Sequence, residues 1–297
     1  MDYKLKVKDI LGGPKILLSR LDNTDEQCIN AFVSLMNKTA KQIGMTGSQF
    51  KNPSGIPESG HYSTANDMLK LGCCFSSHGK LMSYDGWQTY SVPIGGNHAR
   101  TITVDCTYKG DSVPALNAAY HIFGGKSGSW GDTKNLLSIV KSKTDDAWLV
   151  GCVMNASDSD RSVAMKQLLD WLEEYRSNPS VQSHTVNASY ASACVLPVNN
   201  PYAYRDVTIA QVTKNAGTQY TPYSMTKLLT AIVIFDNFDI NGTLTIKASD
   251  ITEGSGPLFY KGDTISIEDA IIALLLPSSN TLAVALARHF GYLLLNK

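Results

Sequence analysis

The sequence predicts a mixed α/β (α+β) fold, with an antiparallel sheet flanked by helices and a separate helical domain. Residues 96–222 alternate between apolar and polar positions as strands do, and contain one amphipathic helix, "SVAMKQLLDWLEEYR". The flanking segments, 28–95 and 223–297, have mainly helical spacing and together would form one helical domain. With 297 residues, 43% hydrophobic and 18% charged, the chain can bury one large core or two smaller ones.

Composition argues against several classes of partner. The formal net charge is zero, so nothing indicates nucleic acid or an anionic membrane surface. The longest apolar runs, "AIIALLL" and "LLTAIVIF", are far too short to span a membrane, and Met1 is not followed by a secretory signal. The cysteines form no CxxC and no metal-type spacing with histidines, so we expect no zinc site. They are Cys28, Cys73, Cys74, Cys106, Cys152 and Cys194.

The first 27 residues contain an alternating stretch, "YKLKVK", followed by the chain breakers Gly12, Gly13 and Pro14. We expect residues 1–27 to be a surface extension, and their composition indicates no function.

Ser224 and Lys227 are three residues apart in "TPYSMTKLLTAIVIF". On a helix, side chains at this spacing lie on one face and within reach of each other. Thr221 is the predicted N-cap and Pro222 the first helical residue, which would place Ser224 in the first turn. A serine nucleophile needs a base, and a lysine can be that base only if burial or nearby positive charge keeps it neutral. Lys126 is a candidate source of that charge.

The Ser-x-x-Lys spacing is not diagnostic by itself, because it occurs four times. The Ser77 motif contains a glycine among polar residues, Ser48 precedes the loop "NPSG", and Ser138 falls in a predicted strand, where positions three apart face opposite sides. Only Ser224 begins a helix, which is the context that the motif requires. The four pairs are Ser48/Lys51, Ser77/Lys80, Ser138/Lys141 and Ser224/Lys227.

Two further motifs accompany this helix. "LLLPSSNTLAVALARHFG" places Ser278 and Asn280 at the start of another apolar helix, although an ordinary N-cap gives the same pattern. "HIFGGKSGSWGDTK" places Lys126, Ser127 and Gly128 at the start of a strand, where a hairpin turn with a solvated lysine is the ordinary alternative. Together the motifs match the Ser-x-x-Lys, Ser-x-Asn and Lys-Thr-Gly set of penicillin-binding proteins and class A β-lactamases.

On these motifs the chain resembles the low-molecular-mass D-alanyl-D-alanine carboxypeptidases, serine enzymes of the penicillin-binding protein superfamily that trim peptidoglycan stem peptides. "GSGPLFYKGDTISIEDAIIALLLPSSNTLAVALA" resembles the family's stretch leading into Ser-x-Asn, and "FVSLMNKTAKQIGMTGSQFKNPSGIPESGHYSTANDMLKLG" resembles the stretch after it. The resemblance covers most of residues 28–175 and 190–291. It implies a β-lactamase/transpeptidase-like fold with the active site in the cleft between the two domains.

The resemblance also implies the setting of the activity. Family members usually work outside the cytoplasmic membrane, so we expect an extracytoplasmic location. The implied partners are a peptidoglycan stem peptide as substrate and β-lactams as covalent inhibitors, with no cofactor and no metal.

The motifs come in an unusual order. In the family, Ser-x-x-Lys comes first, then Ser-x-Asn, the "MN…NP.G…YSTA" block and Lys-Thr-Gly, whereas this chain begins with the block and supplies the nucleophile helix afterwards. It therefore resembles a circular permutant. A fusion of two unrelated half-domains is disfavoured because each motif occurs once and the halves complement each other.

The permutation predicts where the family's original chain ends would be joined. A polar connector near residues 177–187, containing Pro179, would bridge them within the 96–222 domain. We therefore expect the run at 148–155 to pair in the sheet with the run at 190–198. The family fold places Cys152 and Cys194 in these adjacent runs, which leaves a disulfide open.

The resemblance implies four catalytic roles. Ser224 would attack the carbonyl of the penultimate D-alanine and form an acyl-enzyme, and Lys227 would take its proton. Ser278 would relay a proton to the leaving amine, and Asn280 would hold Lys227 and the substrate backbone.

It also implies how the substrate is held. Lys126 and Ser127 would bind the terminal carboxylate, and Gly128 would let the substrate approach the strand edge closely. The backbone N–H groups of Ser224 and Ser129 would form the oxyanion hole.

Three positions depart from the family's pattern. Ser127 stands where threonine is usual, Ser279 replaces a common glycine, and Trp130 is expected to narrow the substrate site.

Two other functions remain open on the sequence. A β-lactamase would need a group that activates water for deacylation, and no glutamate is placed like that of the class A enzymes; a penicillin-binding sensor would share every motif.

Overall fold

The structure, a computed structural model, describes residues 23–156, 161–196 and 211–296. Most of the predicted N-terminal extension, residues 1–22, lies outside the described residues. The remainder was assigned wrongly, because residues 25–27 form the first turn of a helix. The Thr24 side chain accepts from the Gln27 backbone N–H while the Gln27 side chain accepts from the Thr24 N–H, a capping box that starts the helix before residue 28.

The described residues form nine strands and eight α-helices. The strands are β1 (Thr89–Gly96), β2 (Arg100–Asp105), β3 (His121–Trp130), β4 (Thr133–Lys141), β5 (Trp148–Ala156), β6 (Ala188–Val195), β7 (Val212–Lys214), β8 (Thr243–Thr245) and β9 (Asp263–Ser266). The helices are α1 (Asp25–Ile43), α2 (Ala65–Ser76), α3 (Gly79–Asp85), α4 (Pro114–Ala119), α5 (Arg161–Ser177), α6 (Thr226–Asn237), α7 (Ile267–Leu275) and α8 (Asn280–Leu295).

The central layer is a five-stranded antiparallel sheet in the order β3-β4-β5-β6-β7, with α2 on one face and α5 on the other. Glycines let both helices pack closely. A Cβ at Gly72 of α2 would lie 2.9 Å from Val150, and one at Gly151 of β5 would lie 2.7 Å from the sulfur of Met165 on α5. The sheet interior is therefore buried on both faces, and the predicted mixed fold of antiparallel strands flanked by helices is confirmed.

A second sheet, in the order β2-β1-β9-β8, lies outside the predicted sheet region. The β1–β2 hairpin begins at Thr89, before the predicted boundary at residue 96, and β8 and β9 belong to a segment that the sequence analysis treats as mainly helical. These last two strands have three and four residues, too few for alternation to identify them.

The helical part of the fold packs α1 against α8 and α6. A Cβ at Gly291 of α8 would lie 1.8 Å from the carbonyl oxygen of Cys28, so the two backbones touch at this crossing. Within the described part of the chain, no helix is both long enough and apolar enough to cross a membrane.

The predicted pairing across the connector is confirmed. Strands β5 and β6 are antiparallel, with Leu149 opposite Val195 and Met154 opposite Tyr190. Between α5 and β6 the chain is exposed at residues 182–185, and is anchored before and after them where Trp171 Nε1 donates to Val181 and Lys214 Nζ donates to Val186.

None of the six cysteines forms a disulfide, and all are buried. The register places Cys152 opposite Ser192 and Cys194 opposite Val150, so Cys152 and Cys194 are diagonal neighbours, a separation too large for a disulfide. The Cys194 sulfur instead lies 3.6 Å from the sulfur of Cys73 on α2.

Candidate active site

Ser224 lies in a 3₁₀ turn, Tyr223–Met225, directly before α6. The predicted capping by Thr221 is wrong, because no side chain caps this turn, whose N-cap is Pro222. The carbonyl of Thr221 instead accepts from the Asn135 side-chain amide at 3.0 Å. Tyr223 has φ of 49°, a left-handed conformation that turns the chain sharply before the helix. A strained residue next to a nucleophile requires support from the surrounding packing.

Lys227, one turn after Ser224, is wholly buried. Its Nζ lies 2.8 Å from each of three oxygens: Ser224 Oγ, the backbone carbonyl of Ser54 and Asn280 Oδ1. The carbonyl and amide oxygens can only accept, whereas a hydroxyl can also donate. A neutral amine has two N–H groups and one lone pair. It therefore satisfies all three contacts when it donates to Ser54 and Asn280 and accepts the proton of Ser224.

The electrostatics favour that neutral amine. Burial, followed by the positive charge of Lys126, lowers the pKa of Lys227 well below its usual range. Among the described residues, Lys227 forms no salt bridge with a carboxylate that would oppose the shift. The site thus contains a serine hydroxyl beside an amine whose lowered pKa suits it to accept a proton.

Ser278 and Asn280 approach this pair from the start of α8. The N-cap of the helix is Ser279, whose hydroxyl accepts from the Leu282 N–H. Capping therefore does not occupy its neighbours, and the ordinary N-cap explanation fails for Ser278 and Asn280. Asn280 accepts from Lys227 and donates to the carbonyl of Glu253 at 3.0 Å. Ser278 has φ of 67°, and within the described structure its buried hydroxyl has no hydrogen-bond partner.

Lys126, Ser127 and Gly128 lie in the middle of β3, not at its start as predicted. Gly128 is where this strand meets the nucleophile turn. A Cβ there would lie 2.7 Å from the Pro222 carbonyl oxygen and 3.3 Å from the Ser224 nitrogen. The close approach of backbone to backbone thus depends on glycine at this position.

A cleft of about 330 Å³ lies where the three motifs meet. Its lining is mainly hydroxyl-bearing, with one cation, and it includes Thr107, Ser127, Ser129, Arg161, Ser224, Ser255, Gly256, Pro277 and Ser278. Trp130 does not line the cleft and is 57% exposed, so the expected narrowing by its indole is not seen.

In the described residues no cluster of three or more His, Cys, Asp or Glu side chains is placed to hold a metal ion.

Arg161 is a cleft residue that the sequence analysis missed. It is the first residue of α5, and its guanidinium donates to Ser129 Oγ at 3.0 Å and to the Thr107 carbonyl at 3.4 Å. Thr107 Oγ1 lies 2.8 Å from Ser127 Oγ. No motif marks this arginine, because it reaches the cleft from the far end of the β5–α5 connection. Its location near the triad was available only from the fold.

His61 is a second residue that the sequence did not single out. Its Nδ1 accepts from the Lys51 backbone N–H at 3.2 Å, so Nε2 carries the proton and donates to Thr226 Oγ1 at 3.1 Å. Burial lowers the pKa of His61 to about 4, which keeps the ring neutral. His61 thereby links the "HYSTA" segment to the first residue of α6, between Ser224 and Lys227.

The fold and these contacts define a class of site, a serine hydroxyl that lines a cleft at a sheet edge and is paired with a buried lysine behind it. Residues 28–158 match the model of the D-alanyl-D-alanine carboxypeptidase family of peptidases. The chain is also similar to D-alanyl-D-alanine carboxypeptidase DacF of Bacillus subtilis, at 27% identity over 150 residues, which is 50% of this chain and 36% of that protein. No solved structure matches significantly.

These matches confirm the family resemblance inferred from the motifs. The chain spans about a third of the length of the DacF protein. The matched segment contains Lys126 and Ser127 but ends before Ser224 and Ser278. The structure brings Ser224 and Ser278 to the same cleft as Ser127, independently of the sequence match.

Proposed function

We propose that this protein is a serine-type D-Ala-D-Ala carboxypeptidase that acts on peptidoglycan stem peptides through an acyl-enzyme. The observation that carries the proposal is the contact of Lys227 Nζ with Ser224 Oγ at 2.8 Å, made by an amine whose other two contacts are pure acceptors. A lysine in this environment can accept a proton at neutral pH, which an ordinary surface lysine cannot.

In the proposed acylation, Lys227 takes the proton of Ser224 as Oγ attacks the carbonyl carbon of the penultimate D-alanine. The backbone N–H groups of Ser224 and Ser129 stabilise the oxyanion. Collapse of the tetrahedral intermediate breaks the peptide bond, and the departing amine receives a proton by way of Ser278. The unpartnered hydroxyl of Ser278, which lines the same cleft as Ser224, supports this role. Water then hydrolyses the ester and releases the shortened peptide.

The terminal carboxylate of the substrate needs cationic and hydroxyl partners, and residues in and directly behind the cleft supply both. Ser127 and Arg161 line the cleft, and Lys126 lies directly before Ser127 on β3. We assign Arg161 to the carboxylate with Lys126 and Ser127, because a guanidinium binds a carboxylate in a two-pronged geometry. Its hydrogen bond to Ser129 Oγ supports the assignment.

Two incubations test the proposal: a fluorescent penicillin, and a peptide ending in D-Ala-D-Ala. We expect one covalent penicillin adduct, mapped to Ser224 by peptide mass, and release of D-alanine from the peptide. Ser224→Ala should abolish both, whereas the control Ser77→Ala, which alters another Ser-x-x-Lys serine, should not. Rapid loss of the drug would identify a β-lactamase instead. A stable adduct without D-alanine release would identify a sensor, and an adduct on another serine would refute the site.

A further inference from the structure

The motif "FGGKSGS" contains two glycines before the lysine that the proposed mechanism does not use. Both contact one carboxylate. Gly125 N–H donates to Asp85 Oδ2 at 2.6 Å, and a Cβ at Gly124 would lie 2.8 Å from the same oxygen. The glycine pair thus leaves room for the Asp85 side chain directly beside Lys126.

Asp85 is wholly buried at the end of α3, and polar groups hold it on every side. The other carboxylate oxygen, Oδ1, accepts from the hydroxyl of Tyr108. The Lys109 ammonium donates to the Asp85 backbone carbonyl at 2.5 Å and to the Phe123 carbonyl at 3.1 Å. A buried carboxylate without such donors would be strongly destabilising, so its donors indicate an ionised group.

Lys126 is also wholly buried, and among the described residues it forms no salt bridge with a carboxylate. Its Nζ donates to the Ser127 carbonyl at 3.2 Å and lies 5.4 Å from the centroid of the Tyr108 ring. Tyr108 therefore contacts both groups, with its ring near the ammonium and its hydroxyl bound to Asp85. A desolvated ammonium in this position needs an anion close behind it.

We propose that Asp85 is a positioning residue for Lys126, its carboxylate holding the ammonium charged and aligned for the substrate carboxylate. This rests on the proposed function and explains the "GG" of the motif: Gly124 leaves space for the carboxylate and Gly125 binds it.

The charged and titratable groups around Lys126 agree with this assignment. Burial lowers the pKa of Lys126 to about 7, against upward contributions from Cys106 and Asp85 and a downward one from Arg161. Burial raises the pKa of the Cys106 thiol, so it is uncharged near neutral pH. Burial and the charge of Lys126 lower the pKa of Lys227 well below its usual range, and burial also lowers the pKa of Lys109, whose Nζ lies beside Asp85. Asp85, whose pKa burial raises to about 6, is then the anion that remains at pH 7.

The negative charge of Asp85 determines the direction in which Asp85→Asn changes the pKa of Lys126. With Asp85 present, Lys126 stays protonated up to about pH 7. Replacing the anion by a neutral amide removes an upward contribution, so Lys126 should lose its proton at lower pH. An opposite charge within several ångströms typically shifts a pKa by about one to three units, so we expect Asp85→Asn to lower the midpoint by about one unit or more.

The primary experiment measures the titration of Lys126 by NMR of ¹³Cε-labelled lysine, with its resonance assigned as the one missing from Lys126→Arg. Asp85→Asn should lower the midpoint. The control Asp67→Asn, which alters another buried aspartate bound by the Gly47 N–H and Ser48, should not. An Asp85→Asn shift no larger than that of the control would overturn the proposal.

A second variant covers the case in which Asp85→Asn fails to fold. Tyr108→Phe keeps the ring against Lys126 and removes only the hydroxyl bound to Asp85. That loss raises the pKa of Asp85, so the Lys126 midpoint should fall, by less than in Asp85→Asn. An unchanged midpoint in Tyr108→Phe would count against the assignment.

The functional readout compares a D-Ala-D-Ala peptide with its C-terminal amide. At pH 6.5, where Asp85 is mostly ionised and Lys126 mostly protonated, the wild-type enzyme should prefer the free carboxylate, and Asp85→Asn should reduce that preference; a general loss of stability would reduce both rates together. Retained preference in a folded Asp85→Asn would refute the positioning role. The NMR titration requires no activity. A failed carboxypeptidase assay with an Asp85-dependent midpoint would therefore refute the proposed function while leaving the link between Asp85 and Lys126 in place.

Discussion

At the scale of single residues, the two buried lysines beside the cleft are the same chemical group in two different environments. Lys227 has two acceptors and a hydroxyl around its Nζ, whereas Lys126 has one carbonyl and an aromatic face. The first environment suits a neutral amine and the second a cation backed by a carboxylate. The charge of Lys126 also helps to lower the pKa of Lys227, so the roles are linked.

We expect arginine substitution to separate these roles. Lys227→Arg should reduce penicillin acylation by at least about 100-fold, because a guanidinium cannot release its proton to act as a base. Lys126→Arg keeps the positive charge and should lose less. The second-order acylation rate with a fluorescent penicillin measures both, and equal losses would argue against distinct roles.

At the scale of elements, the site is a junction of three segments distant in the chain: the 3₁₀ turn before α6, the turn before α8 and the middle of β3. Gly128 sets how closely β3 approaches the turn that carries Ser224. The residue before the nucleophile, Tyr223, is held in a left-handed conformation at this contact.

Gly128→Ala should therefore weaken catalysis by geometry alone. The added methyl would meet the Pro222 carbonyl at 2.7 Å, which forces the strand and the turn apart. A displacement of about 1 Å at reacting groups can cost about 100-fold in rate, and we expect a loss of that order in acylation. The matched control is Gly217→Ala, where a Cβ meets no atom within 4 Å. Wild-type acylation by Gly128→Ala would show that the contact does not set the geometry.

At the scale of the whole molecule, we propose that the chain is a circular permutant of the family fold. The pairing of β5 with β6 and the short exposed link between α5 and β6 support this. In a permuted fold the covalent link between α5 and β6 is not required to keep the fold together, because core contacts hold β5 and β6 in place without it.

A site for a sequence-specific protease, inserted between Gln182 and Ser183, tests the permutation. After cleavage the two fragments should elute as one species, bind fluorescent penicillin at Ser224 and unfold within a few degrees of the uncut insert. The uncut insert is the control for the added residues. Separation of the fragments, or loss of acylation on cleavage alone, would indicate that the link is part of the folded core.

Much of the candidate site was predictable from local sequence. Ser224 precedes a strongly apolar helix, Ser278 and Asn280 lie at the start of another, and Lys126 to Gly128 lie in a strand, all recognisable from spacing and periodicity. Local sequence patterns gave wrong predictions where contacts between residues distant in the chain decide the structure. The Tyr223–Met225 turn replaces the predicted capped helix start because Asn135, from another strand, binds the Thr221 carbonyl.

The sequence by itself determined the class of fold, the chemistry of the three motifs and the family resemblance, because helix periodicity, strand alternation and motif spacing are properties of neighbouring residues. Only the tertiary structure decided which side chains complete the site. Arg161 lines the cleft, whereas His61 and Asp85 bind Thr226 and Gly125 beside it, all three from segments with no motif. The pKa values of Lys227 and Lys126 are set by burial and by partners remote in the chain. Desolvation and pairwise charge depend on distance in space, which the order of residues does not specify.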